Sequence, residues 1–133
     1  MIGGTADVAF RRAAEYADGW TLGGGTPDAF AAGLGKLRQA WSAADRDGYP
    51  RSMVLCYFSL GDDPAGQAER SLGHYYSFLG DYAQRVVDSA AKDADTIKGY
   101  LAAFEQAGAD EVICFPASVD PGQVGLLAEA IGL

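Results

Sequence analysis

Hydrophobic spacing along the chain switches repeatedly between the period of a helix and that of a buried strand. Met1-Ile2 reads as the tail of a strand, followed at once by Gly3-Gly4-Thr5. Ala6 to Ala17, free of Gly and Pro, predicts a helix, and Asp18-Gly19 breaks it before a short buried strand at Trp20-Thr21-Leu22. A second cluster, Gly23-Gly24-Gly25, leads into Thr26-Pro27-Asp28. There Thr suits an N-cap, Pro the first helical position and Asp the positive end of the helix dipole. Phe30, Leu34, Leu37 and Trp41 then mark one helical face. Ser52 to Leu60 is the clearest strand, apolar on both faces as a central parallel strand should be. Asp63-Pro64 opens a helical stretch too long for one connection, so two helices are expected, broken around Ser89 to Asp93. The second carries Ile97, Leu101 and Phe104 on one face and stops at Gly108. Glu111 to Phe115 predicts the last strand and Pro116 to Val119 a loop; Asp120-Pro121 opens a final helix carrying Val124, Leu127 and Ile131.

This order, β, α, β, α, β, αα, β, α, demands an α/β fold of parallel βα units with crossover connections. No linker or low-complexity tract divides the 133 residues, which read as a single domain. A complete eight-stranded barrel needs roughly 250 residues, so about four strands amount to half of one. An open doubly wound sheet of flavodoxin type is the rival architecture, to be separated by strand order.

Composition narrows the partners. Ten Lys+Arg against 18 Asp+Glu leave a net charge of −8, which disfavours nucleic acid and anionic membranes as general partners. No apolar run approaches the roughly 20 residues of a membrane span, and no basic-then-apolar leader opens the chain. Cys56 and Cys114 lie in apolar strand-like runs and read as buried free thiols of a cytoplasmic protein. Two cysteines without histidine partners are too few for a zinc site.

Candidate chemistry gathers where strands end. In parallel α/β folds ligands collect at the carboxyl ends of the strands. Those ends carry Gly3-Gly4-Thr5, Gly23-Gly24-Gly25-Thr26, Ser59-Leu60-Gly61 and Ala117-Ser118. Glycines let a backbone approach an anion, and the helix that follows points free N–H groups at it. The same clusters also suit ordinary tight turns, and neither fits the Gly-x-Gly-x-x-Gly dinucleotide fingerprint. His74, the single histidine, lies in a helical stretch without a partner at catalytic spacing, and Asp62-Asp63 reads as a helix cap. Tyr75, Tyr76, Tyr82 and Tyr100 read as packing residues. Motif chemistry alone names no catalytic residue.

From Ile2-Gly3-Gly4-Thr5 through Ala13-Ala14-Glu15-Tyr16-Ala17-Asp18-Gly19-Trp20, the chain resembles the luciferase-like monooxygenase family. That family includes flavin-dependent monooxygenases and reductases that use the deazaflavin coenzyme F-420. Gly108-Ala109-Asp110-Glu111-Val112-Ile113, then Asp120-Pro121 and Leu127-Ala128-Glu129, agree with its C-terminal half. The resemblance implies a βα barrel, of which this chain supplies the end of strand five and strands six to eight. It implies FMN or coenzyme F-420 as cofactor, with Gly3, Gly4, Thr5, Leu22, Gly23 and Gly24 holding its phosphate. The half that frames the flavin ring is not represented, and the two-residue strand before Gly3 reads as a truncation. The expected partners are therefore a missing N-terminal half or a second copy of the chain. The alternative is a non-catalytic half-barrel that binds or oligomerises.

Overall fold

A computed structural model describes all of residues 1–133. The elements, in chain order, are β1 (Ile2–Gly3), α1 (Asp7–Tyr16), β2 (Gly19–Leu22), α2 (Pro27–Ala43), β3 (Arg51–Phe58), α3 (Pro64–Ala68), α4 (Tyr82–Ser89), α5 (Ala94–Gln106), β4 (Glu111–Pro116) and α6 (Gly122–Ile131). The four parallel strands form a sheet in the sequential order β1-β2-β3-β4. Sequential order belongs to a barrel wall and excludes the flavodoxin arrangement, whose order reverses at a switch point. Chain contacts gather into two compact units, Met1–Leu55 with Ala103–Ile113, and Cys56–Ala102 with Cys114–Leu133.

The first unit is built around Trp20 of β2. Its ring lies 5.4 Å from Phe10 of α1 and stacks at 5.6 Å on Phe30 of α2, which meets Phe104 edge-on at 6.0 Å. Trp20, Phe30, Leu37 and Phe104 are fully buried, and burying each large apolar side chain contributes roughly 1.5–3 kcal/mol. Phe30, Leu34, Leu37 and Trp41 line the buried face of α2, as their spacing predicts, and the Thr26 hydroxyl caps that helix by accepting from the Ala29 N–H. α5 ends in a paired backbone cap, with Gly108 N–H donating to Glu105 O and Ala109 N–H to Phe104 O. Gly108 has φ +90, a left-handed conformation that a side chain would strain.

The second unit differs more from the sequence reading. The break at Ser89 to Asp93 is real, and its backbone is used: Ala91 N–H donates to Tyr57 O while Ser59 N–H donates to Ala91 O. The stretch before it is not one helix. α3 runs into a π-helical segment, Glu69–Gly73, then a 3-10 turn, Ser77–Leu79, before α4 begins. Ala68, Leu72, Val87, Ala90 and Ala117 form the unit's core, with Tyr57 and Tyr76 packed against it.

α6 follows its expected face only in part, with Leu127 and Ile131 half-buried. Val124 is 69% exposed, whereas Gln123 is buried. The Gln123 amide accepts from Leu60 N–H at 2.9 Å and donates to Leu60 O at 2.8 Å. It thereby satisfies both backbone groups of a buried residue past β3, as a neighbouring strand would. β3 also departs from expectation. Ser52, Val54, Cys56 and Phe58 are buried, but Met53, Leu55 and Tyr57 are only half-buried, so one face of the strand is covered and the other is not.

Candidate functional site

Pairing of β1 with β2 places the two glycine clusters side by side. Ile2 lies opposite Trp20 and Gly3 opposite Thr21 in parallel register, so Gly4-Thr5 and Gly23-Gly24 leave adjacent strands at the same end. Gly3, Gly4, Thr5 and Gly23 are exposed, Gly24 is half-buried, and Leu22 is buried as the anchor of the second loop. Thus all six residues expected at the cradle occupy one end of the first unit.

The local geometry explains why each residue type stands where it does. Gly4 has φ +116, and a Cβ there would come within 3.1 Å of Ala9 Cβ. Its carbonyl accepts from the Trp20 indole N–H at 2.7 Å, so the first loop is tied to the core ring of β2. Beside Trp20, Gly19 leaves no room for a side chain, since a Cβ would fall 1.9 Å from Arg51 O on β3. Gly33 on α2 is the floor under Trp20, where a Cβ would meet the indole at 2.5 Å. The Asp-Gly-Trp junction is thereby a packing solution that orders the glycine loop above it. Nothing lies within 4 Å of a Cβ placed on Gly23, so that backbone is open to close approach.

Electrostatics divides the two helix starts. α2 is closed by its own Thr26 hydroxyl, whereas α1 has no side-chain cap and keeps donor N–H groups in its first turn. Asp7 stands in that turn and Lys36 of α2 pairs with it at 2.9 Å. The Lys36 hydrogen bond and charge hold the Asp7 carboxyl below its usual range. The α1 start therefore carries one resident anion with its own counter-ion, and an added phosphate would be held by backbone donors. A glycine backbone open to approach and an uncapped helix start fit a cofactor phosphate.

Other groups answer less to chemistry. A cleft of about 430 Å³ lined by residues such as Trp41, Arg46, Asp47 and Tyr49 lies at the amino end of β3, opposite to where barrel chemistry sits. Arg46 there lies 3.7 Å over the Trp41 ring and donates to Ala14 O at 3.1 Å and to Ala17 O, closing the end of α1. His74 is exposed, and no group of three or more His, Cys, Asp or Glu residues could hold a metal ion. Cys56 and Cys114 are free thiols; burial, and secondarily Cys114, pushes the Cys56 thiol up to about 12.

Sequence reasoning missed Trp20 as the donor that fixes Gly4, although the Ala-Asp-Gly-Trp junction was its visible signal. It also missed Gln123 and the π-helical segment, for which periodicity gives no warning.

Residues 1–113 match the family model described as luciferase-like monooxygenase. No curated protein sequence matches. Among solved structures, an F-420-dependent secondary alcohol dehydrogenase held in complex with an F-420–acetone adduct superposes with TM-score 0.72 at 15% identity, over 97% of this chain and 47% of that one. The F-420-dependent tetrahydromethanopterin reductase of Methanopyrus kandleri gives TM-score 0.65 at 16% identity, over 95% and 47%. A long-chain alkane monooxygenase gives 0.65 at 17%, over 97% and 38%. The chain thus spans about half the length, or less, of these structures and shares the fold of that half. With the family model covering β1 through the middle of β4, the chain belongs to the luciferase-like monooxygenase family.

Proposed function

We propose that this chain carries the cofactor-phosphate half of a flavin- or F-420-dependent oxidoreductase, with Gly3, Gly4, Thr5, Leu22, Gly23 and Gly24 as the cradle. The observation that carries this reading is the β1–β2 register, which sets two glycine loops side by side at the carboxyl end of the strands. The uncapped start of α1 and the open backbone at Gly23 support it. When bound, FMN or F-420 would supply the redox chemistry; the residues of this chain would grip its phosphate through backbone N–H groups and keep the loop ordered through Trp20. Fluorescence titration with FMN and with F-420, on the chain alone and mixed with a complementary N-terminal half, tests the proposal. Saturable binding weakened by Gly4→Val and by Gly23→Val is expected; its absence in both preparations sinks the reading.

A second reading, a half-barrel whose role is association, is favoured by a separate observation. Alternate apolar residues of β3 are half-buried, and Ile113 and Phe115 of β4 are 36% and 52% exposed. Covering them takes either a complementary half or a second copy.

A further inference from the structure

We propose that the second unit holds a separate binding site for a small organic carboxylate, in a cleft just past the end of β4, with Arg70 as the recognition group. The cleft, about 380 Å³, is lined by Gln67, Arg70, Ser71, Ala117, Ser118 and Val119. Its polar side chains include a cation and no carboxylate, against a chain net charge of −8. Arg70, Gln67 and Ser118 are each fixed by a bond that leaves a donor over. Asp63 accepts from both Nη atoms of Arg70 through one oxygen, at 3.1 Å each, while its other oxygen caps α3 by accepting from Gly66 N–H at 3.0 Å. Of the five guanidinium N–H groups, that arrangement leaves the Nε edge free for a planar, two-point partner. Gln67 turns its Oε1 to the Ser59 hydroxyl at 3.1 Å, which leaves its NH2 to donate. Ser118 Oγ accepts from Asp120 N–H at 3.1 Å, which leaves its hydroxyl proton to donate.

Two further facts place a ligand here. Arg70 and Ser71 sit in the π-helical segment, and such widened turns occur frequently at functional sites. Ala117 to Val119 directly follow β4, at the strand end where parallel folds bind ligands. Val119, fully exposed beside the cleft, offers an apolar surface to the body of such a ligand. This inference stands whether or not the glycine loops hold a cofactor.

The probes are benzoate, its neutral isostere benzamide, and inorganic phosphate, titrated calorimetrically into the full chain. Saturable benzoate binding is expected, with benzamide at least about tenfold weaker because it lacks the charge. Arg70→Gln should weaken benzoate about tenfold, Ser118→Ala less, and Arg12→Gln, on the other unit, not at all. Arg70 is 68% exposed, so its replacement leaves packing intact, which circular dichroism verifies. No saturation by benzoate up to tens of millimolar, or equal binding by the Arg70→Gln chain, overturns the proposal. So does phosphate binding in place of benzoate.

Discussion

At the scale of single residues, two polar side chains fix backbone far from them in sequence, the Gly4 carbonyl and both groups of Leu60. The Trp20 indole N–H occupies the Gly4 carbonyl while its ring fills the first unit's core. Trp20→Phe keeps an aromatic ring but frees that carbonyl and leaves a gap against Gly33. It should cost roughly 1–3 kcal/mol in urea unfolding and loosen the loop. Gly33→Ala, which drives a methyl into the same ring, should cost a comparable amount. Gln123 offers a sharper test. Gln123→Leu strands the Leu60 N–H and C=O without partners, a loss of roughly 2–4 kcal/mol. Gln123→Glu keeps the acceptor for Leu60 N–H but sets a second oxygen against Leu60 O. The ionised acid repels that carbonyl and the protonated acid donates to it, so the folded-state pKa rises above the unfolded value of about 4.3. The folded state then binds the proton more tightly. Stability of this variant should be fullest below that value and fall as pH rises through the raised folded pKa. A urea midpoint flat across this range would remove the argument for a paired, buried amide.

At the scale of elements, what was legible depended on whether a local rule decided the outcome. Thr26-Pro27-Asp28, the Phe30-Leu34-Leu37-Trp41 stripe and Gly108 each carry their physics in a few neighbouring residues, and each stands as the spacing predicts. Gly108→Ala should cost about 1 kcal/mol, measured as a lowered melting temperature, because its φ of +90 admits a methyl only under strain. The stretch between Pro64 and Ser89 was not legible. Its helical period is continuous enough to suggest one helix, but packing Ala68, Leu72 and Ala117 together makes the chain widen at Glu69–Gly73 and turn again at Ser77–Leu79. α6 shows the same limit. Hydrophobicity favours Val124 as an inward residue, yet the unsatisfied backbone of Leu60, 63 residues earlier, selects Gln123. The glycine cradle was legible as loops and as a resemblance. Its dependence on Trp20 was not, since that is a tertiary contact.

At the scale of the whole molecule, a sheet in the order β1-β2-β3-β4 has two edges, and a barrel wall has none. The buried residues of β3 contrast with the half-buried Met53, Leu55 and Tyr57 between them. On β4 the exposed positions are again apolar, Ile113 and Phe115. A strand in a complete barrel covers both sets, one beneath helices and the other in the barrel interior. Unpaired edge groups and apolar alternation together form a template for association, and the net charge of −8 opposes it only over long range, where salt screens it. The chain alone is therefore expected to self-associate. Light scattering at micromolar concentration should give at least twice the monomer mass, with a stronger tendency as salt rises. Phe115→Lys, at a position already half open to water, should return the monomer without unfolding it. Adding a complementary N-terminal half should compete with self-association if both use the same strand faces, shifting mass into a one-to-one complex. A monodisperse monomer across the salt range would mean that these strands tolerate water, and the case for a partner would rest on the length of the solved relatives alone.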